Sequence, residues 1–436
     1  MRKFTQQQRL ALALQFATRY QRTRRFNLLD QSRVAQWQFA RLQRLVSMAY
    51  HHTSLYRNKY DSVGAHPCDI RTLRDFKRLP TVTKEELIEA GTLAVNDQLR
   101  CGALFASRSS GSSGRLVTIY LDSQALILQA IQAIRMIKEM CPGYGPLDKE
   151  LLIYTSEYPY SSIGGLYRTT YAHTLLPTYR LLELIAEENP AVISVYPSIL
   201  RDMIRADGSC ELMRNVKAVI TNSEHSTQEE REVFSQQLGC PVYDEFSSEE
   251  LSSIAYQCSH KKYHMTQDSS YVEVLALGAD TDVRAGQIGE IVGTCLINSA
   301  MPIIRYRQDD LAVLGADGCP CGRTAPVLSM LAGRRNDSFK RIDGTEVTSG
   351  RILDWTYELV LTHNLGVREF QLTQQTWRRV EIRLVVEAGY NEAVANQIIV
   401  SNFKKSFGNE FDIVIAVVPV IHRMMSGKYN PIRSLV

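Results

Sequence analysis

The sequence predicts an α/β fold with a large N-terminal domain, in which helices cover parallel β-sheets, and a small C-terminal α+β domain. Strands and helices alternate between residues 192 and 250, as is typical of a parallel sheet covered by helices. The last hundred residues differ, and residues 380–386 alternate apolar and charged side chains like a strand with one wet face. We therefore predict domains at 1–332 and 339–436, with the polar segment 333–338 as a linker between them.

The alternating stretch consists of strand–loop–helix units. Val192–Val195 is a short apolar run followed by a turn and a helical pattern. Residues 216–220 form the next predicted strand, and the polar loop 221–224 leads to a helix whose first residues form a capping box. Another strand then runs into the polar segment 244–250. Because ligands gather at the carboxyl ends of parallel strands, these two polar segments mark the predicted site.

Composition places the chain among ordinary globular proteins. Of its 436 residues, 44% are hydrophobic and 22% are charged, which excludes a disordered chain. No uninterrupted apolar run approaches the ~20 residues that a membrane span needs, so no span and a cytoplasmic location are expected. Because we find no export signal, the nine cysteines predict reduced thiols or metal ligands rather than disulfides.

The net charge of +4 conceals a basic N-terminal segment. Residues 1–50 hold ten Lys or Arg and one acidic residue, so the remainder of the chain is mildly acidic. The simplest interpretation is a pair of amphipathic helices with a solvated basic face, within a helical N-terminal region at residues 1–90. A transit peptide and contact with nucleic acid or a membrane surface are the alternatives.

A run rich in serine and glycine predicts an anion-binding loop. Seven of the nine residues from 107 to 115 are Ser or Gly; glycines let backbone N–H groups point inward, and hydroxyls add donors. The Gly-Lys-Ser/Thr ending of a P-loop is absent. A flexible linker is the alternative, but the strand-like residues 116–121 favour a phosphate loop that closes a hairpin. The predicted phosphate-binding residues are Ser109, Ser110, Gly111, Ser112, Ser113, Gly114 and Arg115.

Cysteine spacing indicates a possible metal site. Cys319 and Cys321 form a Cys-x-Cys knuckle, and Cys258 and His264 lie upstream. Four soft or borderline ligands in two pairs suit tetrahedral Zn(II). The alternatives are separate buried thiols with a surface histidine, or His260 in place of His264 as the fourth ligand.

Three further features are weak when taken alone. Residues 301–310 form an apolar, β-rich run that ends in two arginines and two aspartates, and Lys428 follows a glycine in the C-terminal tail. Charges at strand ends and in tails are usually solvated. Tyrosines at 154, 158, 160, 167, 171 and 179 would suit a pocket for an aromatic or amphipathic acid, although ordinary packing is the simpler interpretation.

Taken in order, these segments resemble the adenylate-forming superfamily of acyl-CoA ligases, nearest to its phenylacetate–CoA ligase and deazaflavin-adenylating branch. The resemblance covers most of the chain. It implies the fold described above, with a C-terminal domain that moves about the hinge. The matching segments are residues 55–60 and 79–84 (N-terminal helical region), 109–115 (phosphate loop), 222–224 (adenine loop), 306–310 (Tyr-Arg-Thr-Gly-Asp motif), 333–334 (hinge opening) and 426–428 (C-terminal Gly-Lys).

The resemblance implies roles for single residues. Lys428 acts in adenylation, and Asp310 and Arg334 contact the ribose hydroxyls. The hinge falls at Asn336 and Asp337, where the family usually has an acidic residue or lysine. The four predicted zinc ligands fall where the phenylacetate branch has a metal-binding set. The implied nucleotide-binding residues also include Asn222, Ser223, Glu224, Asp244, Phe246 and Ser248.

The magnesium ligand has two candidates because the register of residues 243–250 is ambiguous. Alignment of Phe246 with the family's adenine-stacking tyrosine makes Glu250 the ligand. Alignment of Ser248 with the Ser/Thr of the family's motif makes Glu249 the ligand. We prefer this register slightly, because a hydroxyl then stays beside the phosphates. A second departure is Asp309, which stands where the family has glycine before the ribose aspartate.

The implied reaction is ATP-dependent adenylation of a small carboxylic acid, followed by transfer to a thiol, with coenzyme A as the expected acceptor. ATP, Mg(II), structural Zn(II) and coenzyme A are the implied cofactors and co-substrates. The alternatives are adenylyl transfer to a hydroxyl, acyl loading of a separate carrier protein, and a non-enzymatic, zinc-stabilised nucleotide-binding scaffold. Nucleic acid is not favoured as a partner, and a homodimer stays open.

Overall fold

A computed structural model describes residues 2–100, 102–108, 116–206, 208–316, 318–424 and 426–436. The predicted phosphate-binding residues 109–115 lie outside the described residues. Among the described residues, no helix is both long and apolar enough to cross a membrane.

The N-terminal region is helical, as the sequence predicts. Thr5 and Asp30 cap the first two helices by accepting hydrogen bonds from backbone N–H groups of the first turn. The basic residues among the first 50 are exposed except Arg41, so this basic face is solvated. The helices are α1 Gln6–Phe26, α2 Gln31–His52, α3 Ser54–Asp61, α4 Leu73–Phe76 and α5 Lys84–Ala90, with 3-10 turns at Pro67–Asp69 and Gly91–Ala94.

A hairpin connects the helical region to the main sheet. Its strands, β1 Phe105–Arg108 and β2 Thr118–Leu121, pair antiparallel, with Arg108 opposite Thr118. The predicted pairing around the Ser/Gly-rich segment is therefore present. The chain continues into α6 Ser123–Met140, which Asp122 caps by accepting from Ala125 N.

A single sheet of eleven strands forms the centre of the large domain. Five neighbouring strands are parallel and alternate with helices. These strands are β3 Lys149–Tyr154, β4 Arg168–His173, β5 Val192–Val195, β6 Ala218–Asn222 and β7 Val242–Ser248. The intervening helices are α7 Thr178–Glu188, α8 Pro197–Arg205, α9 Ser209–Leu212 and α10 Gln228–Leu238.

The other half of this sheet is antiparallel, so the predicted parallel arrangement holds for five strands and the sheet as a whole is mixed. After β7 the chain turns back within three residues, and such a short connection can join only antiparallel strands. The strand order across the sheet is β10-β11-β12-β13-β9-β8-β7-β6-β5-β3-β4. The added strands are β8 Ser252–Gln257, β9 Tyr263–Met265, β10 Ser270–Leu275, β11 Ile288–Cys295, β12 Tyr306–Leu314 and β13 Val327–Arg334.

The parallel half of the sheet separates two hydrophobic cores, because side chains along each strand alternate between its two faces. On β3, Leu151 and Ile153 enter a core shared with α7, α8 and α10. The opposite face of the parallel half packs against α6, which belongs to a second core together with α1 and α2. Because successive strand residues point to opposite faces, Glu150 lies on the same face as Tyr154, towards α6.

The C-terminal domain has its own core and a four-stranded sheet in the order β18-β17-β16-β19. The alternating segment predicted at 380–386 lies in a strand, and the residues after 391 form a helix. The elements are β14 Phe339–Lys340, β15 Glu346–Val347, α11 Ser349–His363, β16 Val367–Gln374, β17 Arg379–Val386, α12 Glu392–Phe407, β18 Asp412–Val417 and β19 Ile432–Ser434.

A buried ion pair joins the antiparallel half of the sheet to the N-terminal helices. The side chains of Arg305 and Glu273 are each 1% exposed, and two of their N···O distances are 3.1 Å. Arg305 also donates to the carbonyl of Leu79. Removal of one partner leaves the other charge buried without its counter-ion, which is far more costly than loss of an exposed pair.

We expect Glu273→Ala to lower the free energy of unfolding by about 3–5 kcal/mol, measured by urea denaturation. The control is Glu183→Ala, which removes one partner of the exposed Arg180–Glu183 pair and should change stability little. Equal effects of the two substitutions would contradict the importance of the buried pair.

Candidate functional site

The main cavity opens at the carboxyl ends of β5, β6 and β7 and is closed by the C-terminal tail. Its volume is about 570 Å³. Because strand-end loops and the tail meet here, the cavity collects most of the sequence-predicted residues. Those that line it are Ser223, Glu224, Asp244, Phe246, Ser248, Glu249, Glu250, Asp310, Arg334, Asn336, Asp337 and Lys428.

Asp310 and Arg334 face each other across two strands. They are paired positions in the β12–β13 register, and Arg334 Nε lies 3.4 Å from Asp310 Oδ1. Burial raises the pKa of Asp310 to about 6, although the Arg334 guanidinium opposes this rise. A carboxylate and a guanidinium side by side can accept from and donate to neighbouring hydroxyls of a sugar.

Asp309 adopts a left-handed backbone conformation, with φ of +65°. Glycine adopts this conformation most easily, and aspartate is one of the few other residues that tolerate it. Asp309 also holds the segment predicted to be a hinge: its carbonyl accepts from Arg335 N at 2.8 Å, and its carboxylate accepts from Asn336 Nδ2 at 2.8 Å. The aspartate side chain therefore adds a hydrogen bond to this segment that glycine could not make.

Lys428 reaches the cavity from a turn that requires glycine. Gly427 has φ of +77°, and a Cβ at this position would lie 2.9 Å from Thr174 Oγ1. The Lys428 ammonium lies 5.7 Å from the centre of the Tyr196 ring, a distance at which a cation interacts with an aromatic face. Burial, together with the nearby Arg334 charge, lowers the pKa of Lys428 to about 8.

Glu224 connects the large domain to this turn. Its Oε2 accepts from Ser198 N at 3.0 Å, and its Oε1 accepts from Ser198 Oγ at 3.1 Å and from Tyr429 N at 2.5 Å. The backbone N–H of Ser198 belongs to the first turn of α8, which has no side-chain cap of its own. One carboxylate therefore satisfies a helix N-terminus and holds the residue next to Lys428.

Glu249 and Glu250 both line the cavity but have different partners. Glu249 accepts from Ser107 Oγ at 2.6 Å and from Tyr154 OH at 3.2 Å, whereas Glu250 accepts from Tyr306 OH at 3.3 Å. Burial raises the pKa of Glu249. Adjacent carboxylates supply the hard oxygen ligands that Mg²⁺ prefers, so either residue fits the predicted role.

The position of β1 links the hairpin to the cavity. Ser107 contacts Glu249 within the site, and Arg108, the last residue of β1, lines the cavity wall. Arg108, the last described residue before the predicted phosphate-binding segment, therefore lies at the cavity.

Asp244 is engaged in the protein framework. Its carboxylate accepts from Thr221 Oγ1 and Tyr263 OH, both at 2.7 Å, and it lies 3.9 Å from Arg231. Phe246, the predicted adenine cover, lies on β7 and lines the cavity while it packs against the hydrophobic cores on either side.

A second cavity of about 140 Å³ lies between α6 and the parallel strands. Asn222 lines this smaller cavity instead of the nucleotide-sized one. Of the clustered tyrosines, Tyr154, Tyr158, Tyr160 and Tyr167 line it, whereas Tyr179 is exposed on α7. The two cavities meet at shared residues of β7 and at Tyr154.

The predicted zinc ligands Cys258, His264, Cys319 and Cys321 come together. Their candidate ligand atoms all lie within 4.8 Å of one another. His264 Nδ1 lies 3.3 Å from the carbonyl of Ala325, so donation from this nitrogen would leave Nε2 available as a ligand. Cys321 Sγ is 3.2 Å from that Nε2. This donor set fits tetrahedral zinc.

The alternative ligand His260 is exposed and is not part of this cluster. The two thiols of the Cys-x-Cys knuckle shift in opposite directions. Burial raises the pKa of Cys319 to about 11. At Cys321 burial also opposes ionisation, but hydrogen bonds from the backbone and side chain of Arg323 bring the pKa of this thiol below its usual value.

Three cavity-lining residues had not been singled out from the sequence. Tyr196 lies under Lys428, His225 is neutral because burial lowers its pKa to about 4, and Gln308 has a buried amide without a hydrogen-bond partner among the described residues. Tyr196 directly follows β5, so the rule that sites form at strand ends would have found it.

Comparisons with known proteins agree with this geometry. The CapK C-terminal domain family matches residues 341–434. The chain is 25% identical to the phenylacetate–coenzyme A ligase of Escherichia coli over 319 residues, which are 69% of this chain and 71% of the relative. It is also 25% identical to the enzyme of the same name from Thermus thermophilus, over 71% of this chain and 72% of the relative.

Solved structures show the same fold. 2-Hydroxyisobutyryl-CoA ligase in its postadenylation state, with 2-HIB-AMP, superposes with a TM-score of 0.73 at 22% identity, covering 94% of this chain and 91% of the other. Its thioesterification state, with 2-HIB-AMP and CoA, gives a TM-score of 0.62 over the same shares at 22% identity. The predicted adenylate-forming fold is confirmed, as is the resemblance to the phenylacetate–CoA ligase branch.

We expect protein purified without added metal to contain about one equivalent of zinc, measured by elemental analysis. Cys319→Ser should abolish this content and reduce thermal stability, because a zinc site stabilises the fold that forms it. The matched control is Cys68→Ser, which changes an exposed cysteine outside the cluster. The site would be refuted if the wild-type protein contained no zinc and Cys319→Ser left the thermal stability unchanged.

Proposed function

We propose that this chain, a phenylacetate–CoA ligase-like member of the adenylate-forming ligases, activates a small carboxylic acid with ATP and transfers the acyl group to coenzyme A. The observation that carries the proposal is the convergence of Lys428, Asp310 and Arg334 in one cavity, although they come from separate elements. A nucleoside contact and a buried cation are what adenylation requires at the same place.

In the first step, a carboxylate oxygen attacks the α-phosphorus of ATP. The new O–P bond forms as the bond to pyrophosphate breaks, which yields acyl-AMP. Two anions must approach each other, and the Lys428 ammonium would bridge the carboxylate and the α-phosphate oxygens. The pair of Asp310 and Arg334 would hold the ribose hydroxyls, and Phe246 would cover the adenine.

The remaining negative charge needs further partners. Mg²⁺, held in part by Glu249 or Glu250, would supply charge that offsets the phosphates. The segment 109–115 is proposed to hold the departing pyrophosphate, since β1 delivers the chain to the cavity wall. Ser107 would orient Glu249 through their hydrogen bond.

In the second step, a thiol sulfur attacks the acyl carbonyl, the C–S bond forms, and AMP leaves with the electrons of the C–O bond. We propose that the small domain first rotates about residues 333–338 and withdraws Lys428, a hinge transition of the usual kind. The chain superposes more closely on the postadenylation state of the solved ligase than on its thioesterification state. This difference supports the proposal that the two domains are arranged here as the first step requires.

The acceptor can be identified by its product. Consumption of coenzyme A with release of AMP supports the proposal. A persistent adenylylated product without any thiol would instead indicate transfer to a hydroxyl, and acylation of a carrier only would indicate a carrier protein. Salt-dependent nucleic-acid binding without pyrophosphate release would favour the scaffold alternative.

We expect Lys428→Ala to reduce ATP–pyrophosphate exchange by at least about 100-fold, because it removes a charge that acts on the transition state. Thioester formation from preformed acyl-AMP should change only a few-fold, since the lysine is withdrawn in that step. The control is Lys405→Ala, which changes an exposed lysine of α12. Exchange that survives Lys428→Ala would exclude the assigned role.

The pH dependence of adenylation should report Lys428. Its pKa is lowered to about 8 by burial, so the ammonium is present below this pH and is lost as the pH rises through it. We expect kcat/KM for ATP in the exchange reaction to fall above about pH 8, since this parameter reports ionisations of the free enzyme. An arginine at this position keeps its charge over this pH range, so any residual activity of Lys428→Arg should not fall above pH 8. A wild-type kcat/KM that does not change with pH in this range would contradict the assignment.

A further inference from the structure

The smaller cavity adjoins the nucleotide site and has the dimensions of a small acyl pocket. Its volume of about 140 Å³ is close to the ~150 Å³ of an engineered protein cavity that takes up benzene. Tyr154, Glu245 and Glu249 line both cavities. An acid that occupies the smaller cavity can therefore extend its carboxylate towards the nucleotide.

Besides Glu249, two further carboxyl groups face this space. Glu150, on β3, is 8% exposed and accepts from Ser194 Oγ at 2.7 Å and from Thr169 Oγ1 at 3.1 Å. Glu245, on β7, has a pKa raised to about 8 by burial and by the neighbouring carboxylates of Glu150 and Asp244. A donor group placed between these carboxyls would offset their crowding.

Two amide oxygens add acceptors without partners. Gln132 Oε1 and Asn222 Oδ1 are both buried, belong to residues that line the cavity, and accept no hydrogen bond from the described residues. The orientation of the Gln132 amide is determined by its Nε2, which donates to the carbonyl of Asp268 at 3.1 Å. Its oxygen is therefore an acceptor, and buried acceptors are normally satisfied.

Among the described residues that line the cavity, there is no lysine, arginine or histidine to balance these groups. The rest of the wall combines serine and threonine hydroxyls of the sheet with apolar and aromatic side chains, among them Ala130, Ile134 and Ile137 on α6 opposite the tyrosines. The cavity thus combines a ring-sized space with a set of carboxyl and amide hydrogen-bond acceptors.

We propose that this cavity receives a ring-sized acyl group that carries a hydrogen-bond donor, an amino or hydroxyl substituent, and selects against the corresponding hydrocarbon acid. The substituent satisfies the acceptors that are otherwise unpaired, and the tyrosines pack against the apolar body. The inference depends on the proposed function, since the cavity becomes an acyl pocket only beside an adenylation site.

Matched non-reactive acyl-AMP analogues provide the test. The probes are benzoyl-sulfamoyl adenosines that carry an amino group at the ortho, meta or para position, each paired with the methyl compound of the same geometry. Calorimetry on the full chain should show at least about tenfold tighter binding of the amino compound in one or more pairs, because a site built to hydrogen-bond a substituent rejects its apolar analogue. Gln132→Leu removes one acceptor at similar volume. It should therefore reduce the ratio between the dissociation constants of the methyl compound and its amino partner.

The control variant is Glu211→Gln, which changes an exposed carboxylate on α9 and should leave the ratio unchanged. The wild-type ratio decides the inference even where Gln132→Leu does not fold. Methyl compounds that bind as tightly as their amino partners in all three pairs would overturn the inference while the proposed function stands. If neither the analogues nor AMP bind, the proposed function fails, and the inference with it.

Discussion

The position of Lys428 depends on the contacts of one buried carboxylate. Glu224 accepts from the first turn of α8 and from the backbone N–H of Tyr429. Burial raises the pKa of Glu224, and these hydrogen bonds counteract that rise. Because a buried carboxylate needs such donors, the backbone N–H of Tyr429 stabilises Glu224 in the arrangement that holds Lys428 at the cavity. The shape of the cavity and the contact between the tail and the large domain therefore depend on each other.

Much of the site could be predicted because its residues follow strands. Asp310 and Arg334 were assigned from separate motifs, and antiparallel pairing of β12 with β13 places them opposite each other. Lys428 gave a weaker local signal, since a lysine on a glycine turn is ordinary; only its order among the other motifs gave it meaning. The fold class followed from the alternation of strands and helices in the parallel half.

Other features were not accessible from local patterns. The antiparallel half of the sheet depends on short connections and long-range pairing, which hydrophobic periodicity does not report. Glu150 and Glu245 lie on strands, where a charged residue usually marks a wet face. Their burial beneath α6 is a tertiary effect, so the polar character of the smaller cavity emerged only from the structure. The exclusion of His260, the alternative to His264, came from its position outside the cluster.

The main cavity holds more acids than bases. Glu249, Glu250, Asp309 and Asp310 line it together with Lys428 and Arg334, and burial raises the pKa of Asp309, Asp310 and Glu249. Such crowding of carboxylates is costly unless a cation enters the cavity. A divalent cation held by these carboxylates would offset part of their charge.

The basic first helix is also part of the wall behind the smaller cavity. Leu12 of α1 is fully buried in the core shared with α6, Gln15 exchanges hydrogen bonds with Gln124, and the rings of Phe16 and Tyr167 lie 5.5 Å apart. Tyr167 in turn lines the smaller cavity. An expression variant shortened to remove the arginine-rich leader-like segment would therefore lose packing behind this wall. If the cavity receives the acyl group as proposed, the acid selectivity of such a variant would differ from that of the full chain.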